Sequence, residues 1–339
     1  MAHSAQAGRL IICPTPLGNL GDITRRVQEA LRVVDVVCAE DTRVTGKLLS
    51  ALGIEKRLER LDEASIARRA ESVVQRVMDG EIIAYCSDAG MPGVSDPGMR
   101  LVAAARAAGA PVEVLPGPTA VATAYVASGC ANAQFYFGGF FPRKNAEQHA
   151  LLDTLRVLDA ALIFYESPNR LVAALRVIAE TFPFREVTVC RELTKLHEEV
   201  LRGEAAYVCD VFAERAAQEG VRGEIVIVID GPNEKEKSAA AANASEDARV
   251  RAIELVRMGA RGKEIAKALV AEFGITRNEA YDIALEARGS VQAGECEEMR
   301  GSVRAGACED ERNAARADGC EETRNTARLD VSEDALIHD

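Results

Sequence analysis

The chain of 339 residues carries a formal charge of −12, and 48% of its residues are hydrophobic. It has no apolar run near the length of a membrane span and no secretory signal at its start, so the sequence predicts a soluble, cytoplasmic protein without a membrane partner. The nine Cys stand singly and the four His lack ligand-like spacing, which predicts reduced thiols and no metal site.

The negative charge is concentrated in the C-terminal tail. Residues 289–339 hold 13 acids and 6 Arg, which leaves a balance of −5 for residues 1–288. The body is only mildly acidic, so the total charge does not argue against a nucleic-acid partner. The tail consists of twelve-residue repeats such as GSVQAGECEEMR, each too poor in large apolar residues to bury a core, and we expect residues 289–339 to be disordered.

The remaining chain is long enough for two domains, and its first half alternates strands and helices. Residues 9–14 predict a buried strand, and Asp22 predicts the cap of a helix over about 23–33. A second strand over 34–39 ends at Glu40-Asp41-Thr42-Arg43, at the carboxyl end where ligands bind in open α/β sheets. Capping of the following helix is the alternative role of Asp41 or Thr42. The glycines of the first turn form neither a dinucleotide fingerprint nor a P-loop.

The stretch IIAYCSDAGMPGVSDPG, residues 82–98, follows a predicted helix over 63–78 and combines a short buried strand with a long loop. Its glycines let backbone amides approach a bound molecule, while Asp88 and Asp96 supply acceptors that a phosphate site would avoid. A plain strand-to-helix connection is the alternative, but loops of this length in compact domains are usually functional. The loop therefore indicates a site for a neutral or cationic ligand.

Further elements complete two α/β domains, which we place at residues 9–120 and 121–231. The first ends with a helix closed by Gly109, a strand over 111–116 and the turn Gly117-Pro118-Thr119. The second is predicted to contain strands over 135–140, 161–166, 186–190 and 223–231. Its predicted helices lie over about 148–158, after Ser167-Pro168 with the Pro in the first helical turn, and over about 203–218. The segment RELTKLHEEVLRG suits either a hairpin or a helical turn.

The C-terminal region begins with residues 232–245, whose composition predicts a linker. Three amphipathic segments over 246–288 then predict a small helical module of helix-turn-helix type. With 8 acids and 8 bases, this module lacks the positive charge of a DNA reader, so a packing module is at least as good an interpretation.

Six segments carry a family resemblance: PTPLGNLGDIT (14–24), AEDTR (39–43), SDAGMPGVSDPG (87–98), PGPTA (116–120), ESPNRL (166–171) and RELTKLHEE (191–199). In this order they closely resemble the bacterial small-subunit (16S) ribosomal RNA cytidine 2'-O-methyltransferases. That family belongs to the tetrapyrrole-methylase-like class of S-adenosylmethionine enzymes. The resemblance covers about residues 9–288 and implies two α/β domains with the cofactor in the cleft between them. It further implies a homodimer that methylates a cytidine ribose in the decoding region of the small ribosomal subunit.

The resemblance also implies where S-adenosylmethionine binds. Its carbonyl- and carboxylate-rich site would consist of the central loop, the loop after the first strand, the Gly-Pro-Thr turn, the ESPNRL segment and a segment that contacts the adenine of the cofactor. The corresponding residues are Asp88, Ala89 and Gly90; Pro14, Leu17 and Gly18; Gly117, Pro118 and Thr119; Glu166; and Glu224 and Ile225.

Activation of a weakly acidic ribose hydroxyl calls for a base or a positive charge, worth about 10² to 10⁴ in rate. By position the candidates are Asp41, Arg43, Glu166, Lys195 and Glu198. We expect Asp41 to act as base or orienter and Lys195 to stabilise the alkoxide, with Arg43 beside them. Purely structural ion pairs are the alternative, because such loops often contain them.

For RNA binding, Arg143 and Lys144 beside Phe140 and Phe141 combine charge with stacking surface. The alternative is that both Phe belong to the core and both cations are solvated. Two other functions stay open. A tetrapyrrole methylase would share fold and cofactor but is expected to carry a Gly-Gly-Asp-Pro type loop. A non-catalytic S-adenosylmethionine-binding regulator would use residues 246–288 as its output module.

Overall fold

The structure is a computed structural model and describes residues 8–291. They form two compact units, one up to Lys237 and one from Ser238 onward. The first unit contains two five-stranded sheets. The predicted α/β class, with two α/β sheets and C-terminal helices, is therefore confirmed.

The first sheet is entirely parallel, with the strand order β3-β2-β4-β1-β5. Its strands are β1 Arg9–Ile12, β2 Val36–Ala39, β3 Arg57–Arg60, β4 Ile82–Cys86 and β5 Val112–Val114, and its helices are α1 Arg25–Val33, α2 Thr42–Ala51, α3 Glu63–Met78 and α4 Gly98–Ala107. Alternate residues of β1 pack into separate apolar clusters, Leu10 and Ile12 on one face, Ile11 on the other. Because both faces are covered, the central strands are apolar throughout. The loops that carry the candidate site follow the carboxyl ends of these strands.

Two local details of this sheet differ from the sequence prediction. Thr24, not Asp22, caps α1, since its hydroxyl accepts from Val27 N, while Asp22 ends a short 3-10 turn, Leu20–Asp22. Asp and Thr are both good N-caps. The 3-10 turn takes up Asp22, so α1 begins after Thr24. The strand β3, with the sequence RLER, was not predicted. It lies at the sheet edge, where charged side chains are tolerated and the apolar pattern is absent.

The second sheet is mixed, in the order β6-β7-β10-β8-β9, with β6 and β7 parallel and the other pairs antiparallel. Its elements are α5 Ala120–Ser128, β6 Phe135–Phe140, α6 Asn145–Leu155, β7 Ala161–Glu166, α7 Leu171–Thr181, β8 Glu186–Arg191, β9 Glu199–Glu204, α8 Ala205–Gln218 and β10 Ile225–Ile229. The segment RELTKLHEEVLRG forms a hairpin, because β8 and β9 pair around the turn at 192–198. Pro168 lies in a turn before α7 and not in its first helical turn, since Arg170 is the cap.

The C-terminal region is helical over most of the predicted linker. Helix α9, Glu234–Arg257, begins inside residues 232–245, whose Glu, Lys and Ala are strong helix formers. The helix α10, Gly262–Phe273, and a helix over 277–291 follow, so the three predicted segments are helical. Residues 289–291 continue the last helix and do not start a disordered tail, and the rest of the tail lies outside the described residues. Within the part of the chain that the structure describes, no helix is long and apolar enough to cross a membrane.

Candidate functional site

A cleft of about 370 Å³ opens between the loops of the first sheet and the strand ends of the second sheet. Most of the predicted cofactor-binding residues line it: Leu17, Asp88, Ala89, Gly90, Thr119, Glu166, Glu224 and Ile225. They come from five separate segments that only the fold brings together. The cleft lies at the carboxyl edge of the parallel sheet, as the position of the loops predicts.

Four other predicted residues, Pro14, Gly18, Gly117 and Pro118, do not line the cleft. Pro14 and Gly117 support its wall, because a Cβ at Gly117 would lie 2.6 Å from Pro14 Cβ. Gly18 lines a smaller neighbouring cavity. The carbonyl oxygen of Pro118 lies close behind Gly90, at 3.6 Å from where a Cβ would stand. Their positions favour a role in holding the loops over direct contact with a ligand.

Glu166 ends β7 with its side chain fully buried at the floor of the cleft. Its Oε1 atom accepts from Ser167 N at 2.6 Å and from Arg170 Nη2 at 2.5 Å. Its Oε2 atom is also buried but has no hydrogen-bond partner within residues 8–291. A buried acceptor without a partner costs about 1–3 kcal/mol. Glu166 therefore offers an acceptor to a ligand that enters the cleft.

Carboxylates dominate the polar lining of the cleft, where Glu40, Asp88, Asp96 and Glu224 accompany Glu166. Burial raises the pKa of Glu40, and the negative charge of Asp88 raises it further. Burial likewise raises the pKa of Asp88, whose Oδ1 accepts from Asp41 N at 3.0 Å. Asp96 has a structural task, since its Oδ1 accepts from Gly93 N and Gly98 N, each at 2.7 Å. Such a lining suits a ligand with positive charge or hydrogen-bond donors.

Glu40 and Tyr165 are among the cleft residues that were not predicted to bind the cofactor, although Glu40 belongs to the polar group noted after the second strand. Glu40 directly follows β2, so its place at a strand's carboxyl end was the available signal. Tyr165 precedes Glu166 on β7, and its ring packs edge-on against Phe137 at 4.9 Å. Its apolar neighbours in the strand gave no sign of a ligand.

Asp41 and Arg43 lie beside the cleft and do not line it. Asp41 is the N-cap of α2, accepting from Arg43 N at 2.8 Å, and its carboxylate also pairs with the Arg43 guanidinium at 2.5 Å. These contacts hold the pKa of Asp41 well below its usual range. The capping role, left open by the sequence, is thus observed. A catalytic role for Asp41 stays a prediction.

Lys195 belongs to the turn between β8 and β9, at the rim of the cleft. Its Nζ atom donates to Glu192 Oε1 at 2.8 Å and to Glu224 Oε2 at 3.0 Å. Burial acts to lower the pKa of Lys195, but these two carboxylates outweigh it and raise the pKa. Glu198 stabilises the turn between β8 and β9, because its carboxylate accepts a hydrogen bond from the backbone N–H of Thr194, which has a positive φ of 66°.

The two neighbouring Phe of the proposed RNA surface separate. Phe140 is 60% exposed and lines the cleft, with its ring edge-on to Tyr165 at 5.6 Å. Phe141 is buried against Phe164 in the core, so the stacking role considered for it is wrong. Consecutive side chains at the end of a strand point to opposite faces, which explains the difference. Arg143 and Lys144 are exposed, and Lys144 pairs with Glu147.

The class of the protein follows from its sequence match to a known family of methylases. The family described as Tetrapyrrole (Corrin/Porphyrin) Methylases matches residues 9–208. The fold is similar to diphthine synthase, with a TM-score of 0.52 at 14% identity over 66% of this chain and 90% of that chain. It is also similar to cobalt precorrin-4 methyltransferase, with a TM-score of 0.51 at 15% identity over 68% and 98%.

Sequence relatives narrow this class. The chain is 41% identical over 284 residues to a ribosomal RNA small subunit methyltransferase I from Micromonospora olivasterospora, covering 83% of this chain and 88% of that protein. It is 39% identical over 285 residues to the protein of the same name from Escherichia coli O157:H7, with coverages of 83% and 96%. The chain belongs to this ribosomal RNA small subunit methyltransferase I family within the tetrapyrrole methylases.

The methyl donor of the family is S-adenosylmethionine, and the cleft fits it on three structural observations. Glu166 Oε2 offers an acceptor to a donor group. Gly90 is buried in the wall of the cleft, and a Cβ there would stand 3.1 Å from Leu17 Cδ2, so the wall has no room for a side chain at this position. The carboxylates around them suit a sulfonium cation and would not suit a phosphate.

Proposed function

We propose that this protein transfers a methyl group from S-adenosylmethionine to the 2'-hydroxyl of a cytidine in the decoding region of 16S ribosomal RNA. The reaction takes place in the cytoplasm on the small ribosomal subunit, and the enzyme acts as a homodimer. The observation that carries the proposal is the carboxylate-lined cleft with Phe140 exposed at its rim. Relatives about 40% identical over most of the chain are ribosomal RNA methyltransferases, which supports an RNA substrate.

The proposed reaction depends mainly on alignment. S-adenosylmethionine supplies an activated methyl group on a sulfonium, whose sulfur departs as a neutral thioether. Glu166, Thr119 and the backbone of Gly90 hold the donor in the cleft. Positioning of this kind supplies effective molarities of about 10⁵ to 10⁸ M. The chain therefore needs no covalent intermediate.

Lys195 and Asp41 have different tasks in this proposal. Lys195 stays cationic at neutral pH and stabilises the negative charge that develops on the ribose oxygen while its proton passes to solvent water. Asp41 has a strongly lowered pKa, so it is a weak proton acceptor, and of its two predicted roles the orienting one is favoured. It orients Asp88 through the hydrogen bond from its backbone N–H. Arg43 fixes the carboxylate of Asp41.

RNA recognition in this proposal combines a stacking surface with nearby charge. Phe140 offers its exposed ring beside the cleft, and Arg143 and Lys144 follow it within four residues. A ring and cations in this arrangement suit a splayed nucleotide. Because residues 1–288 carry a net charge of −5, the chain has little excess basic surface for free RNA, and we expect the folded subunit to be the substrate.

The experiment that tests the proposal uses methyl-labelled S-adenosylmethionine and purified small subunits that lack the modification. After incubation, the RNA is digested to nucleosides, and we expect label in 2'-O-methylcytidine. Label in another nucleoside or in a tetrapyrrole, or cofactor binding without transfer, would contradict the proposal. Equal transfer to free 16S RNA would overturn the requirement for the assembled subunit.

A further inference from the structure

A second, smaller cavity adjoins the cleft. This side pocket, of about 160 Å³, lies between the loop after β1 and the first turns of α2. The lining residues that matter here are Gly18, Leu20, Val44, Thr45, Leu48 and Asp88. Ser87 and Asp88 line both cavities, so they form the wall between them.

One hydroxyl of the side pocket is unpaired and buried. Thr15 Oγ1 donates to the carbonyl of Ser87 at 3.2 Å, and Ser87 Oγ donates to the carbonyl of Gly90 at 3.4 Å. Thr45 is only 1% exposed, and its Oγ1 has no hydrogen-bond partner within residues 8–291. A helical Thr commonly satisfies its hydroxyl on the preceding turn, so this orphan group points to a ligand that completes it.

The rest of the lining is apolar and open to solvent at its mouth. Leu20 is 42% exposed and Val44 41% exposed, and Leu48 lies below them. Two apolar walls, with the buried hydroxyl of Thr45 and the carboxylate of Asp88 on the wall shared with the cleft, suit a planar ring that has polar atoms on one edge. Enzymes that act on a flipped nucleotide hold its base between apolar side chains and hydrogen-bond its Watson–Crick edge.

We propose that the side pocket receives the base of the acceptor nucleotide, a pyrimidine turned out of the RNA stack, with Thr45 and Asp88 contacting its polar edge. This inference rests on the proposed function, because it assigns the place of that substrate. A carboxylate accepts from the exocyclic amine of cytosine, and a Thr hydroxyl donates to a ring acceptor. Because Asp88 also lines the cleft, a base in the side pocket leaves its ribose next to the methyl donor.

The test compares Thr45→Val with Thr45→Ser in the full-length protein. Valine keeps the volume and removes the hydroxyl, whereas serine keeps the hydroxyl. We expect Thr45→Val to lower kcat/KM for small subunits at least tenfold, with an unchanged Kd for S-adenosylmethionine by calorimetry. Thr45→Ser should stay within threefold of wild type. The melting temperature of Thr45→Val should be equal to or above wild type, because a buried hydroxyl without a partner is lost.

Two further variants accompany the Thr45 comparison: one blocks the mouth of the side pocket, and the other controls for the Thr→Val change itself. Val44→Phe narrows the mouth at an exposed position and should lower kcat/KM for subunits without change in donor affinity. Thr154→Val is the matched control, since Thr154 is an exposed helical residue on α6 that bonds Ala150. It should leave kcat/KM and donor affinity at wild-type values.

The possible outcomes distinguish the proposed methyl transfer from the proposed role of the side pocket. Absence of transfer by the wild-type protein removes the proposed function and this inference with it. Wild-type transfer with unchanged kcat/KM in Thr45→Val overturns the side pocket as the acceptor site and leaves the proposed function in place. A weaker donor Kd in Thr45→Val also overturns it, because the side pocket would then belong to the donor site.

Discussion

Gly18 and Lys195 approach each other so closely that a Cβ at position 18 would lie 2.2 Å from Lys195 Cγ. The contact joins the loop after β1 to the turn between β8 and β9, and a hydrogen bond from Asn19 N to Thr194 Oγ1 lies beside it. Only glycine permits this approach, so the position of the Lys195 ammonium at the cleft rim depends on residue 18.

The variant Gly18→Ala should therefore lower methyl transfer by displacing Lys195 from Glu192 and Glu224. We expect kcat to fall about tenfold, the size of a modest loss of transition-state charge stabilisation, with a smaller change in the Kd of S-adenosylmethionine. Lys195→Met should lower kcat at least as far. Single-turnover transfer to small subunits measures both. Gly289→Ala is the control, because an added methyl group there meets no atom within 4 Å, and wild-type kcat in Gly18→Ala would refute the argument.

Gly90 gives a prediction about donor binding. Its φ is +78°, it exchanges backbone hydrogen bonds with Thr15 at 2.9 and 3.0 Å, and a Cβ would stand 3.1 Å from Leu17. The left-handed conformation costs a non-glycine residue roughly 1–3 kcal/mol. Gly90→Ala should lose stability by about that amount and weaken S-adenosylmethionine binding at least tenfold in calorimetry.

Gly109→Ala separates backbone strain from contact with the ligand. Gly109 has a φ of +71°, but nothing lies within 4 Å of its Cβ position. This variant should lose similar stability and keep donor affinity. If both variants bind the donor equally well, the central loop does not hold it.

Local sequence patterns predicted the elements that bury a regular apolar face. Helix α3, Glu63–Met78, and strand β7, Ala161–Glu166, have the predicted bounds because their periodicity and length agree. The polar edge strand β3 lacks that pattern. The helical start of α9 was mistaken for a linker, since composition alone does not distinguish a polar helix from coil.

The sequence predicted which loops form the candidate site. It did not predict the side-chain contacts within that site. The family resemblance placed Asp88 and Glu166 at a common site, and both line the cleft. The buried pair of Glu166 with Arg170, and the approach of Lys195 to Gly18, depend on tertiary packing that no local pattern encodes. Thr45 gave no signal, because an unpaired hydroxyl is recognised only once its neighbours are known.

Glu166→Gln tests the unpaired acceptor. The amide oxygen would keep the bonds from Ser167 and Arg170, and the amide nitrogen would then occupy the Oε2 position and present a donor where the ligand needs an acceptor. The loss of an acceptor to a charged donor is worth about 1.5–3 kcal/mol, so we expect the Kd of S-adenosylmethionine to rise about 10- to 100-fold. Calorimetry measures the change, with Glu147→Gln on the exposed face of α6 as control. An unchanged Kd would exclude Glu166 from the donor site.

The raised pKa values of Glu40 and Asp88 predict a pH dependence of donor binding. Because burial raises both, the two carboxyls take up protons while ordinary carboxyls, with pKa near 4, are still charged. The cleft loses negative charge as pH falls through the range in which ordinary carboxyls are still charged, so affinity for a cationic donor should fall there. Protonation of these groups favours the folded state, so their contribution to stability does not fall in this window. Glu40→Gln should flatten the dependence in calorimetry at several pH values, and an equally steep dependence in that variant would contradict the assignment.

Asp41→Asn tests the carboxylate of Asp41 apart from helix capping, because the backbone N–H that bonds Asp88 is unchanged in this variant. Asparagine is as good an N-cap as aspartate, so α2 should keep its first turn and the melting temperature should change little. The charge that holds Arg43 is lost, and we expect single-turnover transfer to small subunits to fall while the Kd of S-adenosylmethionine is unchanged. Because the pKa of Asp41 lies well below its usual range, the carboxylate stays charged throughout the neutral range, and the pH profile of the remaining activity should match wild type. A changed profile would favour proton transfer by Asp41, whereas wild-type single-turnover rates would leave Asp41 with capping alone.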